Sequence, residues 1–525
     1  MLLQEREGWL SEPDLRELAL RLALPLHRLE SVSTFYTHFR RTPPSGVEVA
    51  LCRDLSCALA GGEKAAAVLR ERGIAVHEVS CLGRCDRAPA GCVDHATLDV
   101  SDVESIRTNV ASPASAPTER PVARWPDADP YEAPSQRYGT LRGALSADRE
   151  RVLAALEEAG LRGMGGAGFP TARKWRLVAS EAAAPKVVIC NADESEPGTF
   201  KDREILHDLP HLVIEGMLLA AWCVGAEHGT VFIRHEYEAE RLRLQAAIEE
   251  ARELGALGEN IFGSGFDCEI DVFVSPGGYI LGEETALLEC MEGRRGEPRN
   301  KPPFPGSRGL FGRPTLINNV ETFAHCVGIA RRGADWWRSL GREHFAGHKF
   351  MAVSGDVAQP GVRLVSFDTT LGELLGACGG MRDGMTLAAV APGGASSNFL
   401  GPEALDLPLD FETLSDAGSM LGSGAAIFVA EGHDLLDVGL NITRFFRNES
   451  CGKCVPCRVG TEKAVKLVES AGGVSGEIEE LLRELDATLA QTSICGLGQV
   501  ALGPLRSLLS AFPERIRRVD GAGRD

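Results

Sequence analysis

A chain of 525 residues is too long for one hydrophobic core, and 44% hydrophobic with 25% charged residues describes an ordinary globular protein of several domains. A formal net charge of −19 argues against nonspecific binding to nucleic acid or an anionic membrane. No apolar run approaches the ~20 residues of a membrane helix, and the N-terminus has no basic n-region or cleavage site. A cytoplasmic protein without membrane insertion is expected.

In chain order, residues 11–38 read as short helices, one started by Ser11 and Pro13 and continued by Leu15, Leu18 and Leu22. A strand-like run at 47–51 leads into Cys52-x4-Cys57. Residues 64–72 read as a helix, with Ala65, Val68 and Leu69 at helical spacing, and a second strand at 75–79 leads into Cys81-x3-Cys85. Neither pair has the spacing of a C-x-x-C redox motif. Disulfide pairing is the alternative use of these thiols, disfavoured in a reducing compartment. Cys92 reads as a buried thiol rather than a ligand. The succession of strand, two-cysteine loop, helix, strand and two-cysteine loop resembles the thioredoxin-like 2Fe-2S ferredoxin domain.

From about 101 to 138 the composition shifts to Ala, Pro, Ser, Thr and Asp, a linker expected to run extended over the next domain. Residues 141–322 alternate helices (149–160, 212–224, 239–254) with strands (186–190, 230–234, 270–274), the pattern of an α/β sandwich. From 348 to about 430 the strands shorten and glycine becomes frequent, as in a small β-rich domain. Residues 435–446, 459–470, 476–492 and 498–509 are predicted helices of a bundle.

That bundle frames Cys451, Cys454 and Cys457 with a distant Cys495, a ligand set for a 4Fe-4S centre. A structural zinc site is the alternative; it usually takes two separated C-x-x-C pairs, and the three-plus-one pattern favours iron–sulfur. The scattered Cys190, Cys223, Cys268, Cys290, Cys326 and Cys378 default to small core residues.

Gly163, Gly165, Gly166 and Gly168 match G-x-G-x-x-G, but a helical segment precedes them rather than the strand that a Rossmann fingerprint requires. Glycines there still let backbone N–H groups approach a phosphate, and residues 170–174 open a helix whose N-terminus attracts an anion. A Gly-rich hinge without ligand is the bland alternative. Against it stand Asn191, Asp193, Glu194 and Glu196 directly after a buried strand, where α/β folds place ligand contacts. A second Gly-rich loop carries Tyr279, Gly282, Glu283 and Glu284 into a helix, and Lys301, Phe304, Asn318 and Asn319 follow.

The segments 160–175, 191–203, 277–293 and 318–322 and the C-terminal cysteines, in this order, resemble the flavin-bearing NADH dehydrogenase subunit of respiratory complex I. Its relatives occur in NAD-reducing hydrogenases and in NAD-dependent molybdenum or tungsten formate dehydrogenases. Residues 15–93 resemble a shortened form of the thioredoxin-like subunit that accompanies it. The resemblance implies FMN held by Gly163, Gly165, Gly166, Gly168, Lys174, Asn191, Asp193, Glu194, Tyr279, Gly282, Glu283, Asn318 and Asn319. It implies NADH near Phe169, Glu196, Glu284, Lys301 and Phe304, a 4Fe-4S cluster on Cys451, Cys454, Cys457 and Cys495, and a 2Fe-2S cluster on Cys52, Cys57, Cys81 and Cys85. Many relatives carry Arg at the place of Met164 and an aromatic residue at the place of Leu177.

The expected architecture is multidomain α/β: a short helical region (1–42), a thioredoxin-like domain (43–105), a linker (106–140), a Rossmann-like FMN- and NADH-binding domain (141–345), a ubiquitin-like β-grasp domain (346–430) and a 4Fe-4S helical bundle (431–525). The implied activity is that of a diaphorase, with hydride exchange between NAD(H) and FMN and single electrons leaving through the clusters; no side chain need act as acid or base. A shortened N-terminal fusion, with no cluster cysteines after Cys495, is most similar to the β subunit of an NAD-dependent formate dehydrogenase. Its partners would be a molybdenum- or tungsten-containing catalytic chain and a small thioredoxin-like 2Fe-2S chain. The equivalent component of an NAD-reducing hydrogenase or of complex I is the second reading. An iron–sulfur scaffold without flavin is the third, and the intact Gly loops argue against it.

Overall fold

In the computed structural model, residues 1–43, 48–93, 96–100, 121–123, 125–342 and 344–519 are described. Most of the predicted linker, 101–120, lies outside them. The N-terminal helices Glu12–Arg21 and Leu26–Phe35 form as predicted, the first capped by Ser11, whose hydroxyl accepts the Asp14 N–H at 3.2 Å. Leu15 is buried, whereas Leu22 lies just past the helix and is exposed. Strands β1 (Glu48–Cys52), β2 (Ala75–Val79), β3 (Ala90–Val93) and β4 (Ala96–Asp99) form a sheet in the order β2-β1-β3-β4. The pair β1–β2 is parallel and connected through helix Gly62–Glu71, while β3 runs antiparallel to β1, as in a thioredoxin-like unit. Cys92, expected to be buried, is only half-buried on β3.

The central sheet takes β5 (Lys186–Ala192), β6 (Ala226–Arg234), β7 (Glu269–Ser275) and β8 (Thr315–Asn319) in the all-parallel order β7-β6-β5-β8. Residues 187–190 of β5 are all buried, as a parallel strand covered on both faces requires. Helix Pro210–Val224 is buried along almost its whole length and packs on Val320–Arg332. Each of its buried Leu, Ile and Met side chains contributes about 1.5–3 kcal/mol. The described end of the linker does lie on this domain: Trp125 Nε1 donates to Asp208 at 2.9 Å, and the Tyr131 hydroxyl lies 2.7 and 2.8 Å from the Glu215 carboxylate oxygens.

After two short paired strands, β9 (Gly341–Arg342) and β10 (Phe345–Ala346), the chain forms another four-stranded sheet. It contains β11 (His348–Gly355), β12 (Gly361–Ser366), β13 (Leu387–Ala391) and β14 (Ala425–Ala430) in the order β12-β11-β14-β13. The central pair β11–β14 is parallel, the outer pairs are antiparallel, and helix Leu371–Ala377 crosses between the halves, which is a β-grasp arrangement.

The C-terminal bundle comprises Leu435–Asn448, Val455–Ala471, Gly476–Thr492 and Gly503–Ala511. The single helix expected over 498–509 is two, Gly496–Val500 and Gly503–Ala511. Pro504 lacks an N–H and disfavours helix at the residue before it, so the chain restarts there.

Candidate flavin, nucleotide and iron–sulfur sites

The glycine loop sits at the carboxyl ends of β5 and β8. Its ends are closed by Gly163 N–H to Phe169 O and Thr171 N–H to Leu161 O, both 2.9 Å. Thr322 Oγ1 accepts the Met164 N–H at 2.9 Å, and Arg162 Nε donates to Gly168 O at 2.8 Å. Between these anchors the N–H groups of Gly165, Gly166, Ala167 and Gly168 find no partner among the described residues. Gly166 has φ 125°, open only to glycine, and a Cβ on Gly165 would lie 3.0 Å from Asn319 Cβ. The result is a run of backbone donors without an acceptor among the described residues, next to the N-terminus of helix Thr171–Ser180, as an anion site requires.

The other predicted flavin residues lie on helix Thr171–Ser180, at or just after the ends of β5 and β8, and on the second glycine loop. Lys174 reaches Ile317 O on β8 at 3.1 Å, and burial lowers its pKa. Asn191 Nδ2 donates to Gly282 O at 2.9 Å, which joins the acidic loop to the second glycine loop. Asn318 Oδ1 is buried with no hydrogen-bond partner, whereas Asn319 caps helix Val320–Arg332 and also receives Lys201 Nζ at 3.2 Å. A ligand with hydrogen-bond donors would satisfy Asn318, so the residues present fit FMN. Asp193, pushed up to about 6 by burial, accepts from Ser275 at 2.8 Å and from Ser195. Burial pushes Glu194 to about 8; its carboxyl takes the N–H groups of Asp202 (2.9 Å) and Arg203 (2.6 Å) and the Tyr237 hydroxyl (2.9 Å). Tyr279 turns its ring toward the bundle, with centroids 5.1 Å from Phe445.

On the nucleotide side, Glu283 caps helix Glu284–Met291, and Lys301 Nζ bridges Glu283 (2.8 Å) and Glu284 (2.9 Å). Phe169, Leu177 and Phe304 are exposed apolar side chains. Phe304 leads into the short helix Pro305–Arg308, which packs on Thr171–Ser180, the helix that carries Leu177. Glu196 stands apart from this group. Its carboxylate is buried and accepts from Ser396 N (2.8 Å), Ser396 Oγ (2.5 Å) and Ser423 Oγ (3.3 Å) of the β-grasp domain. Its carboxylate is therefore engaged across a domain seam.

All fifteen cysteines are free. Cys52, Cys57, Cys81 and Cys85 are almost fully buried. Cys81 Sγ and Cys85 Sγ lie 3.5 Å apart, near the ~3.8 Å edge of a tetrahedron with ~2.3 Å metal–sulfur bonds. Hydrogen bonds from Cys52 and Cys85 hold the Cys81 thiol well below its usual range, aided by the charge of Arg234. The set thus fits a sulfur-bridged cluster.

Sequence reasoning missed what surrounds this set. Gly198 of the acidic loop donates its N–H to Cys85 Sγ at 3.3 Å. Two buried arginines of the central domain grip the cysteine loop: Arg234 donates to Cys81 O at 2.5 Å, and Arg203 to Gly83 O at 2.6 Å and Asp86 at 2.8 Å. Glu449 accepts from Ser80 Oγ (2.5 Å) with one oxygen and from Tyr279 N (2.8 Å) with the other. Its place two residues before Cys451 was the one available signal.

The C-terminal cysteines pack into one apolar cluster with the bundle core. Ser450 Oγ lies 3.2 Å from Cys457 Sγ, and burial raises the thiols of Cys451, Cys457 and Cys495. Cys457 is buried, but Cys451, Cys454 and Cys495 are half-buried beside the exposed Val455 and Val459. The donor chemistry of four thiols around one bundle core fits a 4Fe-4S cluster.

Three family models match in chain order: the thioredoxin-like 2Fe-2S ferredoxin over residues 1–112, the Nuo51 FMN-binding domain over 156–327, and the NADH-ubiquinone oxidoreductase-F iron–sulfur binding region over 437–519. The F component of NADH-quinone oxidoreductase from Salmonella typhimurium is 41% identical over 393 residues, 74% of this chain and 88% of that protein. The same component from Aquifex aeolicus is 43% identical over 72% of this chain and 88% of its own length. Among solved structures, an NAD+-reducing NiFe hydrogenase in the H2-reduced state superposes with a TM-score of 0.84 at 32% identity, covering 95% of this chain and 89% of that one. Among the described residues no helix is long and apolar enough to cross a membrane. With FMN, NAD(H), a 4Fe-4S and a 2Fe-2S cluster as its cofactors, the chain belongs to the family of NAD-dependent oxidoreductase subunits represented by these NADH-quinone oxidoreductase components.

Proposed function

We propose that this chain is the diaphorase subunit of a larger NAD-dependent enzyme and that the residues described above bind FMN and NADH in one continuous crevice. When bound, FMN supplies hydride exchange on one side and single-electron exchange on the other. The free N–H groups of 165–168 hold its anionic end, and Asn318 accepts one of its donors. The Glu283–Lys301–Glu284 array orients polar groups of the nucleotide, while Phe169, Leu177 and Phe304 offer apolar faces to its rings. No side chain has to move a proton for direct hydride transfer. The observation that carries this reading is the run of four unpartnered N–H groups next to Asn319 and the orphaned Asn318. Purified protein should contain FMN and catalyse NADH-dependent reduction of an artificial one-electron acceptor. A preparation with full iron content but no flavin absorbance would instead support an iron–sulfur scaffold.

The finer reading is the β subunit of a formate dehydrogenase, with formate oxidised on a separate molybdenum- or tungsten-containing chain and a small thioredoxin-like 2Fe-2S chain as third component. Its support is the short thioredoxin-like unit joined to the flavin domain in one chain. An NAD-reducing hydrogenase is the second reading, favoured by the similarity to hydrogenase chains over 95% and 98% of this chain. Isolating the native complex decides: formate-dependent NAD+ reduction with molybdenum or tungsten supports the first, hydrogen-dependent reduction with nickel the second.

A further inference from the structure

The β-grasp domain has no part in the predicted site, yet one of its side chains enters the glycine loop. Lys349, on β11, is 1% exposed, and its Nζ donates to the carbonyl oxygen of Met164 at 2.9 Å and to Glu321 Oε2 at 3.2 Å. The way is kept open by Gly424, where a Cβ would stand 2.5 Å from Lys349 Cε. In a trans peptide the C=O and the following N–H point in opposite directions. Drawing the Met164 carbonyl toward β11 therefore turns the Gly165 N–H outward, onto the exposed side of the loop, where it has no partner among the described residues. An ammonium on the carbonyl also polarises that peptide and makes its N–H a stronger donor.

We propose that Lys349 is a positioning residue for the flavin: it sets the Met164–Gly165 peptide for anion binding and supplies a buried positive charge behind the loop. The inference rests on the diaphorase reading above. It gives the loop a cation from a different domain at the position where the chain itself has the uncharged Met164. The surrounding charges balance. Lys201 pairs with Asp202 at 2.6 Å and with Glu321 at 2.8 Å, and Glu321 in turn serves Lys349 and the Phe350 N–H at 2.8 Å. Removing Lys349 alone would leave one carboxylate in excess, so its effect must be separated from that imbalance.

The test uses the full chain with its clusters, comparing wild type, Lys349→Met and the charge-balanced double variant Lys349→Met/Glu321→Gln. FMN affinity is read by fluorescence quenching on flavin-depleted protein, the flavin midpoint potential by spectroscopic titration, and retention of fold by the 4Fe-4S EPR signal. Both variants should keep that signal and bind FMN weaker by about tenfold or more, the size of one hydrogen bond to a charged group, and the single variant should also show a lower flavin potential. Unchanged affinity and potential in the single variant would overturn the proposal. So would a double variant that returns to wild-type affinity, because the loss would then belong to the uncompensated Glu321. A wild type that takes up no FMN would overturn the diaphorase reading itself.

Discussion

Gly198 donates its backbone N–H to Cys85 Sγ at 3.3 Å, so the loop that follows β5 meets the second glycine loop at one end and the N-terminal thiol set at the other. Hydrogen bonds to cluster sulfurs and nearby charges set reduction potentials. A cluster on these thiols would find part of its electrostatic surroundings in the central domain, which would couple its docking to its potential.

Arg203 is central to that docking. Its guanidinium is buried against Asp86 and the Gly83 carbonyl. Arg203→Met removes the nearest cation from the buried Asp86, which keeps Arg87 at 3.8 Å, and should cost about 2–4 kcal/mol. Limited proteolysis should then release an N-terminal fragment faster than from the wild type.

Cys495→Ala should lose or degrade the 4Fe-4S cluster while NADH still reduces the flavin. Cys57→Ala should remove a 2Fe-2S signal and leave the 4Fe-4S signal in place. Iron analysis and EPR check both. Normal iron content and unchanged electron transfer in the Cys495 variant would refute the first assignment, and a retained 2Fe-2S spectrum in the Cys57 variant the second.

Glu196→Ala should weaken the seam to the β-grasp domain, because the N–H and hydroxyl of Ser396 lose their acceptor. The cost is about 1–3 kcal/mol. With its carboxylate tied to Ser396, the variant should leave the ratio of NADH to NADPH efficiencies unchanged. A marked gain with NADPH would show that Glu196 senses the nucleotide after all.

Glu215 gives a pH dependence. Burial lifts its carboxyl from the ordinary 4.5 to about 7. A raised value means that the folded state holds the proton more tightly. The stabilisation is fully present below pH 4.5 and lost as pH rises through about 7, with a span of about 3 kcal/mol. Thermal unfolding of wild type should fall relative to Glu215→Gln between roughly pH 5 and pH 8. Parallel profiles would contradict this.

Much of the molecule was legible in the sequence where the signal is local. The cysteine pairs and the 451–457 run declare themselves by spacing, and helix 476–492 has the bounds its periodicity predicts. The break at Ala501–Leu502 was hidden because apolar residues continue at helical spacing through Leu505 and Leu508 on either side of it. Contacts across domain seams left no trace: Lys349 to Met164, Glu196 to Ser396 and Glu449 to Ser80 are separated by 185, 200 and 369 positions, and no periodicity relates such pairs. An acidic residue in such a loop reads the same in sequence whether its carboxylate meets a ligand or, as Glu196 does with Ser396, a neighbouring domain.

The two thiol sets differ in shelter. Cys52, Cys57, Cys81 and Cys85 are 1–4% exposed, whereas Cys451, Cys454 and Cys495 stand half-open beside Val455 and Val459. Dioxygen reaches an open cluster corner far more readily than an enclosed one. During aerobic handling of the isolated chain, the C-terminal cluster should bleach first, and a protein surface seated over Val455 and Val459 should slow that decay.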